Sequence, residues 1–423
     1  MTTSLRDPAL DPALDAWGDP AHYDRNDPFP LFARVRATGP VHQVRLADGH
    51  TAWLIVGHDE ARAALADPRL SKDMHAALAH SGEVVAQGLP GPALARHMLA
   101  VDPPDHTRLR RMATPAFTRR RVDRLEERIR AIVHGLLDDL ATRSAVTGVV
   151  DLVAGYAFPL PFTVICELLG IPEPDRAGLG RWIRTLLAPY SGPPPAEAVA
   201  ASEAIVGYLG ALLDLKRAEP GEDLVTDLVV AARDGALTRQ EMLSTIFQLF
   251  VAGHDTTTSL IGNATVALLR HPEQRDALVA DPELAPRVVE ETMRWDAPVP
   301  HSTFRFATQD VRIGDVVIPA HAQVIVSLAA ANRDPARYRE PEAFDISRTD
   351  GGHLALGHGI HHCLGAPLAR MEARIALTAL HTRFPAMRLA VDPAELRWAH
   401  GDGLVRDGLV LRGLSELPVV LRR

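Results

Sequence analysis

The stretch Leu356-Gly357-His358-Gly359-Ile360-His361-His362-Cys363-Leu364-Gly365-Ala366-Pro367-Leu368-Ala369-Arg370 decides how the rest of the chain is read. Three glycines bracket one cysteine, and a helix-forming run with Pro367 in its first turn follows. Glycine at 357 and 359 allows positive φ and lets the backbone lie close against something flat. Cys363 then stands just before a helix N-terminus, where free N–H groups and the helix dipole favour a thiolate. A thiolate held by backbone donors suits an iron of tunable electron density. A cysteine alone would more simply be a buried loop residue, so the spacing around it carries the argument. A zinc cluster of His358, His361, His362 and Cys363 fits poorly, because adjacent ligands in one tight turn do not wrap a tetrahedral ion.

The second informative segment lies about a hundred residues earlier. Thr238-Arg239-Gln240-Glu241 reads as a capping box, opening a helix that His271-Pro272 stops after Arg270. At ~1.5 Å per residue that helix spans roughly 50 Å. Its first half is apolar all round (Ile246, Phe247, Leu249, Phe250, Val251), as a buried helix should be. The pattern then breaks into Ala252-Gly253-His254-Asp255-Thr256-Thr257-Thr258-Ser259. Gly, Asp and Thr each cost roughly 0.5–1 kcal/mol against Ala in a helix interior. Apolar spacing resumes at Leu260, so the helix does not end there. A local kink at Gly253 is expected, with hydroxyls bonding the i−4 carbonyls. Such a kink would open a groove beside the acid Asp255 and the hydroxyl Thr256, as proton delivery to a bound oxygen requires.

Composition bounds the remaining possibilities. The 423 residues carry 45 Lys+Arg and 53 Asp+Glu, a net charge of −8, with no basic block that would mark a nucleic-acid partner. Two cysteines, Cys166 and Cys363, argue for a reducing, cytoplasmic setting without a disulfide framework. No stretch reaches the ~18 apolar residues of a membrane span, and residues 1–21 lack an apolar signal core. Residues 1–26 read as a flexible leader and 27–423 as one catalytic domain, mainly α with small β-sheets. A hairpin is expected from 41–46 and 51–56 around Gly49, a short helix over 58–65, and strands at 303–306, 311–313 and 324–327. Residues 71–100 are irregular, as binding loops often are.

The run Gly-x-Gly-x-His-x-Cys-x-Gly followed by Leu-Ala-Arg resembles the haem-binding loop of the cytochrome P450 superfamily. Leu356 stands where that family usually has Phe. Ala252-Gly253-His254-Asp255-Thr256-Thr257 is similar to the family's oxygen-activation motif, and Glu291-x-x-Arg294 with Arg348 to its buried charge network. The resemblance covers about Asp27 to Arg423 and is strongest to bacterial soluble members. It implies a triangular, mostly helical prism and haem b ligated by Cys363. It further implies propionates held by His106, Arg110, Arg305 and His361, and proton relay through Asp255 and Thr256. Glu291, Arg294 and Arg348 would brace the cysteine loop.

On that resemblance, the expected activity is hydroxylation or epoxidation of a bulky hydrophobic molecule such as a macrolide, steroid or other polyketide. The walls of its site would come from residues 71–100, the helices around 189–195, 250–252, 297–301 and the 401–408 turn. Electrons would come from NAD(P)H through a reductase and a ferredoxin docking near Arg108, Arg111 and Arg374, on a monomer. A peroxide-driven peroxygenase would lack the Asp255–Thr256 pair. A non-catalytic haem sensor would not need it.

Overall fold

Both halves of the capping box form: the Glu241 N–H donates to Thr238 Oγ1 at 3.2 Å and the Thr238 N–H to Glu241 Oε2 at 2.9 Å. The computed structural model describes residues 14, 17, 24, 26–46, 49–73, 93–188, 194–232, 235–399 and 410–422. In it the capped helix runs unbroken over Arg239–Arg270. It is buried on every side through most of its length because Pro159–Leu169, Ala285–Trp295 and Ala366–Arg383 all pack on it. The kink expected at Gly253 does not interrupt it. Gly253 instead allows a neighbouring helix to approach, since a Cβ there would stand 2.8 Å from Ile165 Cδ1. The expected hydroxyl bonds are present: Thr256 Oγ1 donates to the Ala252 carbonyl at 3.0 Å and Ser259 Oγ to the Asp255 carbonyl at 2.9 Å. They satisfy the polar run inside its own helix, so the ladder survives the poor formers.

The hairpin forms as read, Val41–Arg45 against Thr51–Ile55, with Val41 opposite Ile55. Thr51–Ile55 pairs in parallel with Gln323–Val326, which pairs antiparallel with Arg305–Ala307, and that strand with Leu70–Ser71. Strand pairing therefore joins residue 70 to residue 307 and sets the floor from which Arg305 projects. Val311–Ile313 pairs with Val316–Ile318, a strand the sequence reading missed. Near the C-terminus Pro418–Val420 lies between Val150–Asp151 and Arg388–Leu389.

Three expectations change. The leader drawn over 1–26 already contains packed chain: Leu14 and Trp17 are buried, and the Trp17 N–H donates to the Arg45 carbonyl at 2.7 Å. The Trp17 ring packs on Phe32 and on His301, which places His301 in that aromatic core and away from a substrate wall. One helix, Ala196–Ala218, is long and apolar enough to cross a membrane by length and composition. It packs against Glu173–Leu187 and Leu224–Ala231. Most of the expected wall at 71–100, residues 189–193 and the 401–408 turn lie outside the described residues.

Candidate active site

The cysteine loop opens where Asn332 Oδ1 accepts the Leu354 N–H at 2.7 Å. Gly357 and Gly359 both take φ +74, which an L side chain avoids. At Gly359 the demand is also steric: a Cβ would stand 3.1 Å from the Leu65 carbonyl oxygen and from Ala66 Cα. The surface this glycine lies against is thus the helix His58–Ala66. A 3₁₀ turn over Gly359–His361 follows, and the Cys363 N–H donates back to the Leu356 carbonyl at 2.8 Å. Helix Ala366–Arg383 starts three residues after the sulfur. Cys363 is exposed, yet the protein packed around it pushes the thiol up. The N–H groups of Gly365 and Ala366 and the charges of Arg110 and Arg370 oppose that rise without cancelling it. The helix start alone therefore does not pre-form the thiolate; a bound cation would have to complete it.

The charge network expected around Glu291 is present. Arg294 makes a two-point ion pair with Glu291, at 2.7 and 2.8 Å, with both side chains buried. Arg294 also donates to the carbonyls of Asn332, Pro341 and Ala343, and Arg348 Nε approaches Glu291 at 3.4 Å. The neighbouring Glu290 faces the other way. It binds Arg370 at 2.6 Å and meets His353 at 3.3 Å, and despite its burial these partners hold its carboxyl down at about 2. Glu290, His353 and Arg370 form a second clamp on the cysteine loop that the sequence reading did not assign.

A second set of basic side chains converges with one carboxylate, Asp102, in partial opposition. His106 and His361 lie with ring centroids 4.4 Å apart. Arg305 is buried on its strand, and Lys72 and His97 join the group. Burial lowers every one of these groups, and their charges add to the effect. His361 falls to about 2, His97 to about 4 and Arg305 to about 10. Lys72 donates to Thr303 Oγ1 and to the Thr303 and Phe304 carbonyls. Both ring nitrogens of His106, His361 Nε2, His97 Nδ1 and Arg305 Nε are buried without a hydrogen-bond partner. Arg110 differs from the reading made of it: its two Nη groups donate to the Ile360 and His362 carbonyls at 3.0 and 2.7 Å, bracing the cysteine loop from outside. Lys72 and His97 escaped the sequence reading. The available signal was that Lys72 is one of only two lysines in the chain.

Residues 213–388 match the family Cytochrome P450. The chain is 47% identical to the cytochrome P450 monooxygenase PikC of Streptomyces venezuelae, over 94% of this chain and 92% of that protein. It is 41% identical to the 6-deoxyerythronolide B hydroxylase of Saccharopolyspora erythraea, over 93% and 96%. The tirandamycin C-bound P450 monooxygenase TamI superposes with a TM-score of 0.82 at 44% identity, covering 94% of this chain and 98% of that one. This chain is a cytochrome P450. The mainly helical body with its small sheets is the fold of that family, and the protein is a monooxygenase using thiolate-ligated haem b.

The residues of this P450 fit that group. Haem presents two carboxylates at one edge and an iron at its centre. The cluster of Lys72, His97, His106, Arg305 and His361, with buried nitrogens left unbonded and its basic groups held below their ordinary values, is what two added negative charges would relieve. Cys363 supplies a sulfur on the loop that also carries His361, and that loop is held from both flanks. Arg108 corrects the reading of the electron-donor face. It is locked to Glu241 at 2.5 Å and Asp105 at 2.8 Å, tying helix Asp105–Ala113 to the start of the long helix. Arg374 reaches Glu126 at 3.3 Å, whereas Arg111 is exposed.

Proposed function

We propose that this P450 hydroxylates or epoxidises a macrolide or other bulky polyketide, with Asp255 and Thr256 controlling protons at the site. When bound, haem supplies the activation of O₂ and the insertion of one oxygen atom into substrate. Cys363 would hold its iron through the thiolate. His106, His361, Arg305 and the unforeseen Lys72 and His97 hold its propionates, while Arg110 keeps the loop in register. Glu291, Arg294 and Arg348 keep the loop's approach rigid. Asp255, 29% exposed, exchanges protons with water, and the Thr256 hydroxyl, donating to the Ala252 carbonyl, turns its acceptor lone pairs to the helix surface.

The observation that carries this reading is the adjacent acid and hydroxyl of Asp255 and Thr256 retained inside a mostly buried helix whose close packing calls only for Gly253. The likeness to PikC and to 6-deoxyerythronolide B hydroxylase supports the substrate class. A ferredoxin and its reductase deliver the two electrons, with Arg111 on the docking face in place of Arg108. The protein works as a cytoplasmic monomer.

Screening macrolides for a substrate-induced change in the haem absorption identifies the substrate. Thr256→Ala should then bind it and consume NAD(P)H and O₂, yet release the electrons as hydrogen peroxide in place of product. General acid–base help is worth about 10²–10⁴ in rate, so product formation should fall on that scale. Hydroxylation at the parent rate would overturn the relay.

A further inference from the structure

Asp102 stands where three segments of the basic cluster meet. Its carboxylate accepts the Ser71 hydroxyl and, at 3.0 Å, the Lys72 N–H. Its backbone carbonyl accepts the His106 N–H at 2.9 Å, at the start of helix Asp105–Ala113. Ser71 Oγ in turn accepts the Asp73 N–H at 3.0 Å, which leaves the hydroxyl hydrogen for the carboxylate. Ser71 pairs with Phe306 across the sheet, and Arg305 Nη1 lies 3.4 Å from the Leu70 carbonyl. One residue therefore clasps the segment of Lys72 to that of His106, beside the strand of Arg305.

The clasp is electrostatic as well as mechanical. Lys72, His106 and Arg305 are buried, where water screens charge poorly. Asp102 opposes the effect of burial at each of them, and among the described residues it is the one carboxylate that does so at all three. Arg305, held down to about 10, still carries its charge at neutral pH. A buried cation whose carboxylate is taken away is strongly destabilising, so in the haem-free fold Asp102 is favourable. Two further carboxylates arriving at the same groups reverse the sign. They become the partners of the basic side chains, and Asp102 is then a like charge beside them.

We propose that Asp102 is the resident counter-charge of this site, a positioning residue that holds Lys72, His106 and Arg305 together before haem binds and opposes the haem carboxylates afterwards. Bonded to two donors of the chain, its carboxylate is not free to swing away when they arrive. The site is thus assembled ahead of its cofactor, and its hold on haem is weaker than these basic groups alone would give. This rests on the reading that they hold the haem carboxylates.

Asp102→Asn removes the charge and keeps the clasp, because the amide oxygen can accept the Lys72 N–H and the amide nitrogen can donate to Ser71 Oγ. Two quantities are measured: urea unfolding of the haem-free protein, and haem transfer from the holoprotein to apomyoglobin. The folded-to-unfolded ratio without haem should fall roughly two- to fivefold, and haem transfer should slow by a similar factor, the scale of a partly screened ion pair. Ser71→Ala removes one bond of the clasp and no charge, so it should weaken the haem-free fold without slowing haem transfer. A purely structural Asp102 would leave haem transfer level or faster in both variants, and that result overturns the proposal. Haem-free stability of Asp102→Asn equal to or above the parent's also overturns it.

If Asp102→Asn does not fold, combining it with Arg305→Met removes one charge of each sign. Recovery of folded protein supports the counter-charge; continued failure means that only the clasp matters and overturns it. Arg305→Met alone separates this inference from the reading beneath it. If that variant leaves haem transfer unchanged, the assignment of the haem carboxylates to this cluster fails. If it quickens transfer while Asp102→Asn does not slow it, the assignment stands and only the counter-charge is lost.

Discussion

Two buried clusters of charge flank the cysteine loop, and they are built on opposite terms. Around Glu291 every cation has its anion or its carbonyls: Arg294 binds Glu291 at two points, and Arg348 adds Asp350 at 3.1 Å. Around His106 and His361 basic groups are buried together with only Asp102 opposing, and several of their nitrogens lack a partner among the described residues. The first cluster is complete as folded and contributes to the fold. The second is costly as folded and becomes favourable only with an anionic guest. Burial alone does not distinguish them; the balance of partners does.

The sharpest way to break this contrast is to unbalance the balanced cluster. Glu291→Ala leaves Arg294, only 3% exposed, as a buried cation without its carboxylate. Losing one partner of a buried pair costs about 3–5 kcal/mol, a large part of an ordinary domain's stability. The expected outcome is aggregated or haem-free protein on expression. A holoprotein melting within a few degrees of the parent would show that Glu291 does not hold the scaffold.

The unbalanced cluster should instead make the haem-free protein acid-sensitive. His97 titrates near 4 in the fold because it is buried and faces Lys72, against an ordinary imidazole near 6.5. Its folded pKa is depressed, so the unfolded chain binds the extra proton first. Stability from this residue is intact above about 6.5 and is lost as pH falls from there toward 4. That window corresponds to an order of 3 kcal/mol at about 1.4 kcal/mol per pK unit. His97→Gln should flatten the acid limb of haem-free stability, measured by urea unfolding at pH 7 and pH 4.5. An unchanged slope would mean that His97 is not part of the repelling set.

How far each cluster could be read from sequence follows from the same difference. The Glu291–Arg294 pair is three residues apart on one helix, and the cysteine loop is a contiguous run, so both were legible, the loop strongly so. Helix Arg239–Arg270 was legible from its capping box and its Pro stop. Lys72 and His97 were not, because strand pairing of Leu70–Ser71 with Phe306–Ala307 is what brings residue 72 to residue 305. Arg110 was placed on the correct helix face by its spacing from His106, yet spacing does not say what a long side chain reaches. Gly253 also serves a neighbour's close approach, which its place in the helix pattern does not announce.

The smallest expected effect separates the two clusters most cleanly, because it should run in opposite directions with and without haem. Arg305 is buried beside Lys72, and burial holds its guanidinium down to about 10 with only Asp102 in opposition. Replacing it by Met keeps the apolar stem and removes a charge that the haem-free fold pays to hide, so haem-free stability should stay level or rise. With haem bound, the same change deletes a charge-assisted hydrogen bond worth about 1.5–3 kcal/mol. Haem transfer to apomyoglobin should then quicken by about 10- to 150-fold. The ferrous carbon monoxide band set by Cys363 should not move, because Arg305 would meet the carboxylate edge of the group and Cys363 its iron. If Arg305→Met destabilises the haem-free protein as Glu291→Ala does, the two clusters are alike and the contrast collapses. If haem transfer is unchanged, Arg305 does not hold the propionates, and the orphaned nitrogens of His106 and His361 would have to hold them without it.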